Sequence, residues 1–184
     1  MNIALFGYAG NPPHLGHLEV IEWLAARYDK VLVSPSASHA FGKKLPDINI
    51  RVILSVALLS CTDAPNVELI EIEEEMAQHT DGPIYSYDVL CELRKQYPND
   101  TIHLAVGPDN AVPEIWQRFH RADDIMRDFG RVIAPDMGAH KRSTQIRAML
   151  ERGASYEELC EVTTPDVAKL IGMMPELYGP AKVN

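Results

Sequence analysis

Two histidines three residues apart, His14 and His17, are the residues whose types and spacing most directly suggest chemistry in this chain. They close the segment GYAGNPPHLGH, which begins at the end of the apolar run MNIALF. On a helical turn such side chains share one face, and Gly16 between them leaves room for a bulky group. A helix N-terminus adds free N–H donors and partial positive charge. Together these features predict a phosphate site.

Two other interpretations of this pair fit the sequence less well. A metal site needs further ligands, and neither a third ligand nearby nor the HExxH spacing is present, so we expect no protein-held metal. The chain also lacks G-x-G-x-x-G and G-x-x-x-x-G-K-[ST], which argues against a dinucleotide oxidoreductase and a P-loop. The H-x-G-H pattern arises by chance in about one or two chains per hundred and is only suggestive alone, so its place between a strand and a helix carries the argument.

A second candidate anion site lies in HKRSTQIRAML, near the C-terminus. Ser143 and Thr144 can cap the following helix, and Arg147 lies one turn further on, facing roughly the same way. Hydroxyls, N–H groups and a guanidinium at a helix start are typical of a polyphosphate site. An ordinary N-cap followed by a solvated arginine is the alternative for this segment in isolation.

Size and charge restrict the class of protein. The 184 residues, 46% of them hydrophobic, fit one domain over residues 1–184. A net charge of −9 argues against a nucleic-acid partner, although a small anion could still bind where positive charge is concentrated locally. No apolar run approaches the roughly 20 residues that cross a bilayer, so we expect no membrane association. The three scattered cysteines and the lack of a signal-peptide pattern predict a cytoplasmic setting.

Strand and helix patterns alternate along the chain. We expect strands at Asn2–Phe6, Lys30–Ser34, Val67–Glu73, Thr101–Gly107 and Arg131–Pro135. Helical patterns occur at His17–Tyr28, Ile48–Cys61, Tyr85–Tyr97, Ala111–Phe119, Ala122–Asp128, Ser143–Arg152, Tyr156–Val162 and Pro165–Met173. The acidic run Glu71–His79 is expected to be a solvated strand end. This order predicts an α/β, Rossmann-like fold: an open, mostly parallel sheet with helices on both faces and a small C-terminal helical part.

Both motifs should open into one crevice. Ligands of such sheets bind beyond the carboxyl ends of the strands. The first motif, the segment after Pro35, the segment from Gly107 and the segment after Pro135 all leave strand ends. We therefore expect the two anion sites to meet there.

The two motifs together resemble the nucleotidyltransferase superfamily that carries H-x-G-H and a C-terminal S-T-x-x-R. Within it the chain is most similar to the nicotinate or nicotinamide mononucleotide adenylyltransferases, in order and over nearly its whole length. The matching segments are FGYAGNPPHLGH, GPIYSYDVLCELRKQYP, LAVGPDNAVPEIWQRFHRADDIM and RSTQIRAMLERGASYEELCEVTTPDVAKLIGMMPELY. Many nucleotidyltransferases share the two motifs, whereas the Asp–Trp segment and the tail point to pyridine nucleotides.

The resemblance implies a reaction of NAD synthesis. The phosphate of a pyridine mononucleotide would attack the α-phosphorus of ATP, giving a dinucleotide and pyrophosphate. Mg²⁺ would be delivered with ATP. The catalytic residues implied are His14, His17 and Arg147. The ATP-binding residues implied are Gly7, Tyr8, Ala9, His14, His17, Gly107, Asp109, Ser143, Thr144 and Arg147. Those implied for the mononucleotide are Asn11, Lys43, Lys44, Tyr85, Ser86 and Trp116.

The resemblance also assigns individual roles. His14 and His17 would donate to ATP phosphates, and the C-terminal motif would hold the β and γ phosphates. Asp109 with Gly107 would hold the adenosine ribose. Trp116 would stack on the pyridine ring, and Ser86 would lie near its carboxyl or amide.

Some points stay open at this level. Tyr8 stands in place of the family's second glycine, Gly10 in place of its phenylalanine and Asn11 in place of its aspartate. The alternatives are a phosphopantetheine adenylyltransferase, a cytidylyltransferase or a nucleotide-sensing module without catalysis. The sequence does not decide between nicotinate and nicotinamide mononucleotide, between Lys43 and Lys44 as the phosphate contact, or whether the chain forms a homo-oligomer.

Overall fold

The fold is built on a five-stranded parallel sheet. A computed structural model describes residues 1–37, 45–137 and 142–178. Its strands are β1 (Asn2–Tyr8), β2 (Lys30–Pro35), β3 (Val67–Leu69), β4 (Thr101–Val106) and β5 (Arg131–Ile133), in the spatial order β3-β2-β1-β4-β5. All four neighbouring pairs are parallel. The central strand is β1, so the first motif leaves the sheet between its two neighbours, β2 and β4.

Helices cover both faces of this sheet. They are α1 (Leu15–Ala25), α2 (Ile48–Leu59), α3 (Ile72–Ala77), α4 (Ser86–Gln96), α5 (Pro108–Ala111), α6 (Pro113–Trp116), α7 (Ala122–Asp128), α8 (Ser143–Glu151), α9 (Tyr156–Cys160), α10 (Pro165–Gly172) and α11 (Pro175–Tyr178). Successive β1 side chains point to opposite faces. Ala4 and Phe6 join a core cluster with α1, α2 and α8–α11, whereas Ile3 and Leu5 join one with α3, α4, α6 and α7. The predicted fold class is confirmed.

The third strand is shorter than the alternation in VELIEIE suggests. β3 ends at Leu69 and α3 begins at Ile72, so the prediction of a strand through Glu73 is wrong. The ladder ends where the Ile70 N–H donates to the Val33 carbonyl at 2.9 Å. The following glutamates, Met and Ala favour a helix over a strand. The expected solvated strand end is also wrong, because this acidic run forms α3 and Glu73 is only 7% exposed.

The helix predicted over Ala111–Phe119 is interrupted. Val112 is extended (φ −61°, ψ 140°) and separates α5 from α6. The following residue, Pro113, is responsible, because proline lacks an N–H and disfavours the helical conformation of the residue before it.

The C-terminal helices pack beside the first motif. α10 packs on both α2 and α9. The Leu15 N–H at the start of α1 donates to the Val162 carbonyl at 3.0 Å. This arrangement brings α8, which carries the second motif, next to the loop after β1. None of the helices in the described ranges is long and apolar enough to cross a membrane.

Candidate active site

The first motif places both imidazoles at the start of α1. His14 is the N-cap residue, in an extended conformation (φ −148°, ψ 168°). Its N–H donates to Nδ1 of His17 at 3.2 Å. The two rings stack with their centroids 3.5 Å apart. They therefore share one face, as their spacing predicts.

The backbone hydrogen bond selects the tautomer of His17. A neutral imidazole has one N–H and one acceptor nitrogen, so acceptance at Nδ1 leaves the proton on Nε2. Burial lowers the pKa of His17 well below its usual value, and the neighbouring His14 lowers it further. His17 is therefore neutral at physiological pH, and its Nε2–H is available as a donor.

Tyr8 supports the His17 ring through contacts in the core. The two rings meet edge to face with centroids 4.8 Å apart, and the Tyr8 hydroxyl donates to Ser55 Oγ at 2.6 Å. Gly10 has a positive φ of 57°, and a Cβ added there would lie 3.5 Å from the Tyr8 ring. The aromatic residue that replaces a family glycine thus packs against the ring proposed to donate to phosphate.

A buried arginine joins the loops that follow β1 and β2. Arg51 is 1% exposed, and its Nη1 donates to the Ala9 carbonyl at 3.0 Å and to the Ser36 carbonyl at 2.6 Å. Its Nε donates to the Pro46 carbonyl at 3.0 Å. Sequence reasoning did not assign Arg51 to the site. The available signal was a charged residue within the otherwise apolar helix RVILSVALL.

The second motif binds directly to the backbone of the first. Arg147 Nη1 donates to the carbonyl of Asn11, and Ser143 Oγ donates to the carbonyl of Pro12 at 2.8 Å. A residue beyond the motif, Thr163, donates through Oγ1 to the carbonyl of Pro13 at 2.9 Å. Each carbonyl in the N-P-P stretch before His14 is therefore satisfied by a side chain of the C-terminal helical part. The two motifs adjoin, as the sequence predicts.

This geometry corrects one detail of the second motif. The N-cap of α8 is Arg142 (φ −127°, ψ 146°), and the helix begins at Ser143. Sequence reasoning proposed Ser143 and Thr144 as capping residues, but neither is the N-cap. The Ser143 hydroxyl instead donates to the Pro12 carbonyl. Thr144 Oγ1 instead accepts from Arg147 Nη2 at 3.2 Å.

A cleft of about 800 Å³ opens at the carboxyl ends of β1 and β4. The predicted site residues on its wall are Gly7, Tyr8, Ala9, His14, His17, Ser86, Gly107, Asp109 and Thr144. The wall also includes residues that sequence reasoning did not assign, among them Ser36, Glu73, Asn110, Arg118, Asp136 and Arg142. Its volume is in the range of small-molecule and cofactor sites.

Known proteins resemble this chain over most of its length. A protein of Anaeromyxobacter dehalogenans, named "probable nicotinate-nucleotide adenylyltransferase", is 32% identical over 170 residues, which cover 85% of this chain and 88% of the relative. The chain belongs to the nicotinate-nucleotide adenylyltransferase family. A relative of the same name from Myxococcus xanthus is 29% identical and covers 86% of this chain and 87% of its own length.

A solved structure agrees with this assignment. The crystal structure of a candidate nicotinate-nucleotide adenylyltransferase from Vibrio parahaemolyticus superposes with a TM-score of 0.76 at 32% identity, over 92% of this chain and 97% of that one. No protein-family profile matches the chain. The expected family, the enzyme class and the reaction, adenylyl transfer from ATP to a pyridine mononucleotide, are confirmed, and the sensing module is set aside.

At the mouth of the cleft, this adenylyltransferase pairs Asp109 with Arg142. Arg142 Nη1 lies 2.5 Å from Asp109 Oδ2, and the two side chains are 51% and 68% exposed. Gly107, which starts the same segment, is the N-cap of α5. The carboxylate expected to accept from the ribose hydroxyls is therefore held by a surface ion pair in the structure.

The predicted pyridine-stacking residue lies off the cleft wall. Trp116 is 9% exposed. The Arg131 guanidinium lies 4.1 Å from the centroid of its ring, and the centroid of the Phe119 ring lies 4.9 Å from that centroid. Tyr85 stacks on His120 with centroids 4.4 Å apart. A pyridine ring could stack on Trp116 only after one of its present neighbours had moved.

Two further predicted residues, Lys43 and Lys44, lie outside the described ranges, as does His39 in the same segment. Asn11 is described and is off the cleft wall. Among the described residues its side-chain oxygen Oδ1 has no hydrogen-bond partner. The structure thus brings together the phosphate and adenosine candidates more completely than the mononucleotide candidates.

Proposed function

We propose that this adenylyltransferase joins nicotinate mononucleotide to the AMP part of ATP, using the cleft between its two motifs. The observation that carries the proposal is the pair of hydrogen bonds from Ser143 and Arg147 to the backbone of the first motif. These bonds hold the loop before His14 against α8, and His14, His17 and Thr144 all line the cleft. The nicotinate preference follows the names of the family members.

The reaction needs charge stabilisation more than a new nucleophile. An oxygen of the mononucleotide phosphate forms a bond to the α-phosphorus of ATP, and the bond from that phosphorus to the leaving pyrophosphate oxygen breaks. The attacking oxygen is already anionic, so positioning and electrostatics can supply the catalysis. His14, the Nε2–H of His17 and the Thr144 hydroxyl would donate to phosphate oxygens as charge moves to the leaving group.

Arg147 has a dual position in this proposal. Its Nη1 is used by the Asn11 carbonyl and its Nη2 by Thr144. We propose that it orients the first motif and Thr144, and that its positive charge attracts the β and γ phosphates. Ser143 orients the same loop through Pro12.

The two ends of the cleft would bind the two nucleosides. Asp109 and Gly107 would receive the adenosine ribose, with Asp109 exchanging its Arg142 partner for ribose hydroxyls. Ser86, at the start of α4, would lie near the pyridine carboxylate. Asn11 would use its buried Oδ1 to accept a hydrogen bond from the mononucleotide. Trp116 and Tyr85 remain proposed neighbours of the pyridine ring.

We propose that Mg²⁺ reaches the site with ATP. Within the described ranges no group of three or more His, Cys, Asp or Glu side chains could hold a metal ion. Mg²⁺ is commonly held by substrate phosphates with few protein ligands, and there it neutralises developing charge.

We also propose a single domain over residues 1–184. We propose a cytoplasmic setting as well, and the free thiols of Cys61, Cys91 and Cys160 support that setting.

The decisive experiment is turnover of purified protein with Mg²⁺–ATP and each of the two mononucleotides, following both pyrophosphate and the dinucleotide. We expect both products, with kcat/KM for nicotinate mononucleotide at least about tenfold above that for the nicotinamide form, since a buried polar mismatch costs roughly 1–3 kcal/mol. The proposal would be contradicted if neither mononucleotide gave pyrophosphate, or if the nicotinamide form were the preferred substrate.

A further inference from the structure

An enclosed carboxyl group, to which the proposed reaction assigns no role, lies in the cleft wall. Glu73, the second residue of α3, is 7% exposed, and its Oε2 accepts from the Ala37 N–H at 2.9 Å. Its Oε1 would lie 4.0 Å from a Cβ placed on Gly7. The carboxyl group therefore contacts the segment after β2, lies close to the end of β1, and borders a cleft that receives two anionic substrates.

The charge of Glu73 has little direct compensation. Arg51 of α2 attracts it, but the Arg51 guanidinium donates to backbone carbonyls, including those of Ala9 and Ser36. Gly7 at the end of β1 and Ala37 in the segment after β2 approach the Glu73 carboxyl group, and neither has an ionisable side chain. Its own helix adds only more negative charge, from the adjoining glutamates of α3.

Burial therefore favours the uncharged carboxyl group. It raises the pKa of Glu73 from 4.5 to about 7, although the Ala37 hydrogen bond and the Arg51 charge oppose the shift. A negatively charged ligand nearby would favour the protonated form further, because like charges repel at short range in a poorly solvated site.

Position in the cleft indicates which substrate meets this group. Glu73 lies on the β2 side of β1, because α3 packs on β2 and the Glu73 carboxyl group accepts from the Ala37 N–H just after that strand. Asp109, proposed for the adenosine ribose, follows β4 on the opposite side of β1 from β2. The mononucleotide is thus the substrate whose binding should respond to Glu73.

We propose that Glu73 is a positioning residue for the mononucleotide, which binds well when the Glu73 carboxyl group is uncharged and is repelled when that group is ionised. This inference rests on the proposed function. The sign follows directly: binding of the anion is linked to protonation of Glu73, so the KM for mononucleotide rises as pH rises above about 7. The KM for ATP rises much less.

The test compares the wild-type enzyme with Glu73→Gln and Glu75→Gln between pH 6 and pH 8.5. Glutamine keeps the acceptor for Ala37 and removes the charge, whereas Glu75 is an exposed residue of the same helix and loses the same charge at the surface. For the wild type and Glu75→Gln, we expect the mononucleotide KM to rise about fivefold between pH 7 and pH 8, as a group of pKa about 7 ionises. Glu73→Gln should show a rise below about 1.5-fold.

The substrate's own phosphate does not imitate this result. Its second ionisation, near pH 6, is almost complete above pH 7 and is the same for all three proteins. A wild-type KM that stays flat above pH 7, or a Glu73→Gln enzyme that keeps the wild-type rise, would overturn the inference. Wild-type protein without turnover under any condition would instead refute the proposed function.

Calorimetry provides a test that needs no variant. Mononucleotide binding to the wild type at pH 7.5, measured in buffers of different ionisation enthalpy, should show uptake of a fraction of a proton. Binding without proton uptake would also overturn the inference, whether or not Glu73→Gln folds.

Discussion

Two regions of the cleft, the first motif and the Asp109–Arg142 pair, are built by different means. At the first motif, three consecutive backbone carbonyls are bonded by Arg147, Ser143 and Thr163, and the half-buried His17 ring packs against Tyr8. In the region proposed for the adenosine ribose, Asp109 and Arg142 meet as an exposed ion pair on the cleft rim. The first region is set before any ligand arrives, whereas the second uses side chains that water can solvate and a ligand can redirect.

This difference separates two contributions to one reaction. Donors that stabilise charge in a transition state gain most when they are preorganised and shielded from water. Groups that recognise a ribose can be exposed, because an ion pair at the surface contributes only about 0–1 kcal/mol and is readily exchanged. Variants at the preorganised first motif should therefore affect turnover, and variants at the exposed Asp109 should affect ATP binding.

The largest effect is expected for His17→Ala. The change removes the Nε2–H donor, so kcat should fall at least about a hundredfold, the size seen when one preorganised donor is deleted. Steady-state rates with ATP and nicotinate mononucleotide measure it. The control is His79→Ala, an exposed imidazole at the end of the acidic run that should leave kcat within about twofold. A loss below threefold for His17→Ala would remove this residue from the mechanism.

Arg147→Ala should have the next largest effect and should test the joint between the motifs. It leaves the Asn11 carbonyl without its donor and removes positive charge, so kcat/KM for ATP should fall about 10- to 100-fold and unfolding should cost about 1–3 kcal/mol less. Kinetics and chemical denaturation measure the two effects.

The matched control for that arginine is Arg152→Ala. Arg152 lies just beyond α8 and pairs at the surface with Glu158, at 3.1 Å. Arg152→Ala should change the free energy of unfolding by no more than about 1 kcal/mol, and kcat/KM for ATP by no more than the same free energy implies, about fivefold. If Arg147→Ala left ATP kinetics unchanged, the second motif would be only a structural support for the first.

The smallest effect is expected for Asp109→Asn, at the exposed ion pair. Loss of the carboxylate weakens acceptance from the ribose, so the KM for ATP should rise about three- to tenfold while kcat changes less than about threefold. The free energy of unfolding should stay within about 1 kcal/mol of the wild type, because the Arg142 pair is exposed. A kcat loss as large as that of His17→Ala would contradict the distinction between the two regions.

Sequence reasoning reached the fold and the phosphate motifs because their signals are local. The α7 boundaries, Ala122–Asp128, agree with the prediction, and β1 needs only its apolar run and position. The sequence-based prediction was wrong at Glu73, where strand-like alternation continues into a helix. It was also wrong at Val112, where a following proline interrupts a helical pattern. In both places short-range patterns of similar strength competed, and packing or proline geometry decided the outcome.

The sequence by itself determined the order of the five strands and the pair of histidines whose rings share a face, because each depends on neighbours a few residues apart. It also indicated the family, through motifs that follow one another in the family's order. Only the tertiary structure decided that Ser143 bonds to a carbonyl 131 positions away and Arg147 to one 136 positions away. It alone also showed that Glu73 is buried and that Arg51 serves backbone carbonyls. Such contacts depend on which distant segments the folded chain brings together in space, and neither composition nor periodicity predicts this.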